Sequence, residues 1–314
     1  MNILVLGGSG FIGTHLSKAL AERGHYVRVF GLQQNLPDGA SKRIEYWRGD
    51  FSDAILLSEA LNDIDVVCHL ISSTVPGTSN LDMAEDVRSN LINTLQLLDL
   101  MIAKNIRRIV YFSSGGTVYG TPSLLPIPEE HALNPICSYG IVKVSIEKYL
   151  YMYQQVFDFK PLILRPSNPY GTGQSRLGMQ GLIGTFLGKA LDNKPLEVWG
   201  DGTAIRDYIA VGDLVDLAVS ALESEVVGVF NVGSGVGHSV NEIIEIVRSI
   251  VPGDIKVVYQ GARGIDVEKI ILDINKIKEH FEWTPKVALD EGMKRYYDSL
   301  CVDRTGGLDR GQGC

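Results

Sequence analysis

A chain of 314 residues is long enough to bury a large core, as one big domain or two closely joined ones. Its 45% apolar and 21% charged residues are the balance of a soluble globular enzyme. A formal net charge of -8 excludes a general nucleic-acid surface, which needs a basic face, yet a few local arginines suffice for a phosphorylated small molecule.

Asn2-Ile3-Leu4-Val5-Leu6 is a short apolar run ending at glycine, the pattern of a buried parallel strand. No basic stretch precedes it, so no signal peptide is expected, and no apolar run reaches the ~18–20 residues that cross a bilayer. Residues 11–23 place Ile12, Leu16, Ala19 and Leu20 at helical spacing, and Gly24 ends that helix. Strands are predicted at 26–30, 65–70, 108–112 and 161–165, with helices at 83–104 and 138–157 between them. This alternation predicts an α/β fold, a Rossmann-type doubly wound parallel sheet over residues 1–166.

After Pro166 glycines and prolines cluster, and helices are predicted at 181–191, 211–222, 240–251 and 275–280. Residues 167–300 are expected to form a smaller C-terminal substrate-binding lobe, with 228–232 returning as a strand to the main sheet. The Gly-rich stretch within 301–314 reads as a disordered tail. Cys68, Cys137, Cys301 and Cys314 form no CxxC pair and no metal-ligand spacing, so reduced thiols, a cytoplasmic location and no metal are expected.

Gly7-Gly8-Ser9-Gly10-Phe11-Ile12-Gly13 lies between the first strand and the first helix, the context in which a glycine motif cradles a dinucleotide pyrophosphate. Gly7 allows the tight turn, Gly10 lets phosphate approach the backbone, and Gly13 lets helix pack on strand. The helix start adds free N–H groups and a positive dipole end. The acid expected at the end of the second strand for the adenosine ribose is missing: that place is Gly31. No arginine follows at once, and Arg28, Lys42 and Arg43 do not decide between NAD and NADP. Asp50 and Phe51 are placed to flank the adenine, the carboxylate on its amino group and the ring on its face; a loop cap is the other role open to Asp50.

Tyr139 and Lys143 stand four apart on the predicted helix 138–157 and share a face. An ammonium and a positively charged nicotinamide both favour phenolate, so the pair suits proton transfer at an alcohol carbon coupled to hydride transfer. Ser113, Ser114 and Thr117, after the strand at 108–112, are candidates for a partner hydroxyl, with turn formation as their alternative role.

With these come Ser-Ser-x-x-x-Val-Tyr-Gly at 113–120, Arg165-Pro166-Ser167-Asn168-Pro169-Tyr170-Gly171, Gly200-Asp201-Gly202, Arg206-Asp207-Tyr208, Val211 and Asp213-Leu214. In order and spacing, from Met1 to about Leu300, the chain resembles the extended short-chain dehydrogenase/reductases. It is most similar there to the sugar-nucleotide 4-epimerases that act on UDP-glucose and UDP-N-acetylglucosamine. The resemblance implies NAD as cofactor and a UDP-sugar as substrate. It makes Tyr139 the acid/base and Lys143 its modulator and ribose ligand. Leu70, Ser72, Asn90, Ser113 and Pro166 would join the cofactor site, with Asn90 approaching the phosphates or the central helix. Asn168 would touch the substrate pyrophosphate, Arg206 and Arg263 would clamp its phosphates, and Asp266 would hold the uridine ribose. A homodimer is implied through a four-helix bundle of helices 83–104 and 138–157, where Ile146, Leu150 and Tyr153 could serve core or interface.

Three departures qualify that pattern. Family members usually carry serine or threonine where this chain has Gly115, so the hydroxyl near the sugar C4 oxygen must come from Ser114, Thr117 or water. The 4,6-dehydratases place Asp-Glu where this chain has Gly116-Thr117, which removes the acid and base for elimination. The position that admits or blocks an N-acetyl group is Ile270, neither large and aromatic nor small. Expected chemistry is C4 inversion of a UDP-hexose through a 4-keto sugar. The alternatives are other 4-keto chemistry (a uronate epimerase or decarboxylase, a keto-sugar reductase, a 4,6-dehydratase) or a catalytically silent nucleotide-sugar binder.

Overall fold

The computed structural model describes residues 1–32, 41–175, 181–261 and 267–308. The first strand enters the core at once, since Ile3, Leu4, Val5 and Leu6 have no exposed surface. In chain order the first half runs β1 (Asn2–Leu6), α1 (Phe11–Glu22), β2 (Tyr26–Gly31), β3 (Ile44–Arg48), α2 (Ala54–Ala60), β4 (Val66–His69), α3 (Met83–Asp86), a π-helical turn (Val87–Ile92), α4 (Asn93–Ala103), β5 (Arg108–Phe112), α5 (Ser138–Phe157) and β6 (Lys160–Pro166). The second half runs β7 (Asn168–Tyr170), α6 (Leu182–Leu191), β8 (Leu196–Trp199), β9 (Ile205–Ala210), α7 (Val211–Glu223), β10 (Gly228–Val232), β11 (Gly237–Ser239), α8 (Val240–Ile250), β12 (Val257–Gln260), β13 (Lys269–Ile270), α9 (Asn275–Phe281) and α10 (Leu289–Leu308).

Seven strands form one parallel sheet in the order β10-β6-β5-β4-β1-β2-β3. Strand order reverses between β1 and β4, and a crevice opens there at the carboxyl ends of the strands. One apolar layer packs α1 and α7 on the sheet, and another packs α2, α4 and α5 on the opposite face. β10 closes the sheet beside β6, as the apolar run at 228–232 predicts. A third core joins α6, α8, α10 and β8 in the C-terminal lobe. Among the described residues no helix is long and apolar enough to cross a membrane.

Three local features differ from the sequence expectation. β3 and α2 are additional elements. β3 is a half-exposed edge strand with no continuous apolar run, and α2 is a short helix started by the Asp53 carboxylate, which accepts from the N–H groups of Ile55 and Leu56. The single helix expected at 83–104 is interrupted by the π turn, a feature that often marks functional sites. The disordered tail expected from 301 is helical as far as Leu308, because α10 is anchored by Met293, Tyr296 and Leu300 at helical spacing in the third core. The rest of that tail lies outside the described residues.

One buried ion pair ties the catalytic side of the sheet together. Arg165 on β6 donates through Nη2 to Glu147 Oε2 at 2.5 Å and through Nε to Oε1 at 3.0 Å. Arg165 is 3% exposed and Glu147 4%. Breaking such a pair leaves one uncompensated buried charge. Arg165→Met should therefore lower unfolding free energy by about 3–5 kcal/mol in urea titrations, and adding Glu147→Gln should restore part of the loss.

Candidate active site

The glycine loop after β1 has the backbone that its sequence requires. Gly7 adopts φ +81°, where an L side chain is strained, and a Cβ on Gly13 would overlap the Gly7 carbonyl oxygen. α1 starts at Gly10 with no side chain capping its first N–H groups, whereas α8 is closed by the Ser239–Glu242 capping box. The uncapped helix start and the close backbone approach fit a dinucleotide pyrophosphate, with Phe11, Ile12 and Gly13 supplying the first turn.

Around the loop several expected cofactor residues prove to be engaged with the protein. Asp50 Oδ1 accepts from Ser52 N at 2.9 Å and Ser52 Oγ at 2.7 Å, so this carboxylate caps its own turn and is held below its usual range by those bonds. The Phe51 ring is buried against His69, centroids 5.2 Å apart, and belongs to the core instead of offering an open face to adenine. Leu70 continues the β1–β4 pairing through its N–H to Leu6 O. Ser72 Oγ donates to Thr74 O. Asn90 lies in the π turn, 5% exposed, and latches the loop after β4: its Oδ1 accepts from Ser73 N at 2.9 Å, and its Nδ2 donates to Ser73 Oγ and to Asp86. The Asn90 amide, expected near the phosphates or the central helix, thus holds the loop that borders the crevice.

The loop after β5 is stitched to β6 by Ser113 N to Leu164 O and Gly115 N to Pro166 O, both 2.8 Å. Pro166 is buried at the end of that strand. Ser113 Oγ donates to Glu147 and is therefore part of the buried ion-pair network. Ser114, half-buried, neighbours the Tyr139 phenol and favours its ionised form. A Cβ on Gly115 would lie 2.5 Å from Leu272 Cδ1 and 2.8 Å from Arg165 O, so no side chain fits there. Thr117 Oγ1 is buried without a partner among the described residues. Of the hydroxyls that the sequence leaves open, the structure brings Ser114 to the phenol.

Tyr139 lies in the first turn of α5, and Lys143 lies one turn on, 5% exposed, its Nζ donating to Phe112 O at 2.9 Å. That ammonium lies 4.9 Å from the centre of the Tyr111 ring and 5.5 Å from that of Tyr139. Burial pushes the Tyr139 phenol up to about 12, against the influence of Ser114, with nearby Asp86 adding to the rise. Burial brings Lys143 down to about 8, opposed by Glu147 and Asp86. His69, fully buried beneath, is brought down to about 3 by burial and by the Lys143 charge, and is neutral.

The second lobe contributes a cavity of ≈ 270 Å³ bordered by Asn168, Tyr170, Trp199, Ala204, Arg206 and Tyr208. Arg206 Nη1 donates to Ile205 O at 2.9 Å, and Asn168 Nδ2 donates to Asp207 O at 2.8 Å. Asp207, to which the sequence assigns no role, is fully buried and accepts from Ser234 N and Oγ at 2.8 Å and Gly235 N at 3.1 Å. It fixes the strand that carries Arg206. Only the Arg206-Asp207-Tyr208 motif could have signalled it. Ile270, expected to gate the sugar, is 1% exposed and buried with Leu272 and Ile274 in the main core, since an aliphatic chain has no polar neighbour to draw it outward. Arg263 and Asp266 lie outside the described residues. Among those described, no group of three His, Cys, Asp or Glu could hold a metal ion.

The model of the NAD dependent epimerase/dehydratase family matches residues 3–233. A UDP-glucose 4-epimerase of Mycolicibacterium smegmatis is 32% identical over 303 residues, which cover 94% of this chain and 97% of that one. A crystal structure of the UDP-glucose 4-epimerase of Thermotoga maritima with UDP-glucose superposes with a TM-score of 0.91 at 33% identity, covering 97% of this chain and 100% of that one. The Thermus thermophilus UDP-glucose 4-epimerase in complex with NAD gives a TM-score of 0.89 at 30% identity, covering 96% and 99%. Since the family match runs from the first strand of the parallel sheet to the strand that closes it, this chain belongs to the NAD-dependent epimerase/dehydratase family.

Proposed function

We propose that this chain inverts C4 of a UDP-hexose through a transient 4-keto sugar, with NAD as cofactor, and that UDP-glucose and UDP-galactose are the pair it interconverts. The observation that carries this reading is the Tyr139/Lys143 pair, the ammonium 5.5 Å from the centre of the phenol ring and fixed there by its 2.9 Å hydrogen bond to Phe112 O. It lies at the carboxyl ends of the strands, the same end of the sheet as the glycine loop.

Bound NAD supplies reversible two-electron redox chemistry at the sugar carbon and, when oxidised, a positive charge that favours phenolate. Tyr139 accepts the proton of the sugar 4-hydroxyl and returns it. Ser114 favours the phenolate. Lys143 holds a cation beside it. In the chain alone the phenol is protonated at neutral pH, because burial outweighs the influence of Ser114. The cavity beside Asn168 and Arg206 grips the nucleotide while the sugar turns, as inversion demands. Gly116 and Thr117 offer no acid pair for elimination of water, which sets dehydration aside.

The proposed assembly is a homodimer. Ile146, Leu150 and Tyr153 are buried in the core and so are unavailable to a partner. Ile141, Tyr149, Met152 and Val156 instead form an exposed stripe along α5. Met83, Val87 and Ile92 are exposed on the neighbouring α3 and π turn. Together these two apolar faces are the surfaces that a helical bundle covers.

An NMR time course with UDP-galactose tests the reaction: appearance of UDP-glucose without added reductant is expected, and no conversion would refute it. Tyr139→Phe should cut turnover by about 10²–10⁴-fold and leave UDP affinity unchanged in calorimetry. Activity near wild type would remove Tyr139 from its role.

Lys143 gives a prediction of opposite sign for stability. Its pKa is lower folded than unfolded, so the unfolded chain binds more protons between pH 8 and the ordinary lysine value of 10.5, and stability rises with pH across that window. Lys143→Met should therefore abolish activity yet raise unfolding free energy at pH 7 by about 1–3 kcal/mol, with the gain shrinking towards pH 10. For assembly, light scattering should find a dimer that Tyr149→Glu combined with Met152→Lys converts to a folded monomer.

A further inference from the structure

At the adenosine end of the crevice the local charge has the opposite sign from that of an NAD ribose site. The β2 position that usually carries an acid is Gly31, and it stands in register with Arg48 at the end of β3. Side chains in register on adjacent strands point to the same face. That face is fixed by neighbours. A Cβ on Gly31 would lie 3.0 Å from Ser9 Oγ, and one on Gly8 would touch Val29, two residues before Gly31. Arg28 and Glu45, three residues before Gly31 and Arg48 in the same register, face the other way. There Arg28 Nε pairs with Glu45 at 2.9 Å, and Nη1 reaches the carbonyls of Ala60 and Asn62. Arg48 therefore lies on the glycine-loop side of the sheet, one strand out from Gly31, whose open face meets Ser9.

Its guanidinium is exposed and makes no hydrogen bond, ion pair or ring contact among the described residues. Two other cations lie at the far end of β3. Arg43 is at the amino end of β3, donating to Gly24 O and lying over the Tyr26 ring. Lys42 precedes it. Asp50, the acid just beyond Arg48, has one oxygen taken by Ser52. Among the described residues, a guanidinium without a partner, a hydroxyl and a position without a side chain suit a phosphate dianion better than a ribose diol, which needs a carboxylate acceptor.

We propose that Arg48, with the Ser9 hydroxyl, binds the 2′-phosphate of NADP(H) in the space that Gly31 leaves, so that this chain takes the 2′-phosphorylated dinucleotide as well as NAD(H). This rests on the reading of the glycine loop as the dinucleotide site.

Fluorescence titrations with NADH and NADPH test it by binding, independently of turnover. The wild-type chain should bind NADPH within about threefold of NADH. Arg48→Ala should weaken NADPH by about tenfold to a hundredfold and NADH by less than about twofold. Gly31→Asp restores the acid at a position whose φ is not left-handed, needing only that Ser9 Oγ rotate. It should favour NADH and weaken NADPH by about tenfold or more. Tight NADH binding with NADPH more than about tenfold weaker in the wild type, or equal losses of both nucleotides in Arg48→Ala, overturns the proposal. Failure of both nucleotides to bind would instead overturn the dinucleotide reading itself.

Discussion

The Glu147 carboxylate is the point on which the catalytic geometry depends. It sits one turn beyond Lys143 on α5, and it is reached from two other elements: Arg165 from β6 and Ser113 from the loop after β5. Helix, strand and loop are thereby fixed to one buried charge. Arg165 extends the network through Nη1 to the Tyr119 hydroxyl, which donates to Asn231 on β10. A buried ion pair of this kind adds little net stability, because desolvation opposes attraction. Its value lies in geometry. Every member is bonded to another, so the start of α5 has one position relative to Ser114, and the nearness of the Tyr139 phenol to that serine follows from it.

A second buried carboxylate performs the same service from the other side. Asp86 has no exposed surface and accepts from Thr74 Oγ1 and Ser138 Oγ, both at 2.6 Å, and from Asn90 Nδ2 at 2.9 Å. It joins the loop after β4 to the first residue of α5. The π turn immediately after it brings Asn90 back onto both Asp86 and Ser73. Two anions thus flank Lys143, and both oppose the loss of its proton. Burial still prevails, so the site contains a cation that the fold destabilises. Stability is surrendered where chemistry needs a charge.

Motifs of local origin were legible from sequence. The glycine loop, the Tyr139/Lys143 spacing and the strand pattern all depend on residues a few positions apart, and the structure places them accordingly. What escaped depends on partners distant in sequence. Arg48 gains meaning from its register with Gly31 across a strand that has no apolar run to announce it. Asn90, Ser113 and Phe51 have side chains suited to ligands, yet tertiary neighbours occupy them first. Ile270 carries a family position into a core that only the folded chain defines. Hydrogen-bonding capacity can be read from a residue's identity, but the partner that fills it cannot.

Gly115 shows the same principle at the centre of the site. A hydroxyl-bearing residue there would have to displace Leu272, whose Cδ1 fills the space, and would also press on the carbonyl of Arg165. Leu272 is held in turn: its N–H reaches Asp207 Oδ2 at 3.4 Å, and Asp207 adjoins Arg206. The bare glycine is therefore a contact point between lobes, where the strand that carries Arg206 is keyed to the loop that carries Ser114. A side chain on residue 115 would separate them. The loop keeps its hydroxyl one residue earlier, on Ser114, beside the Tyr139 phenol.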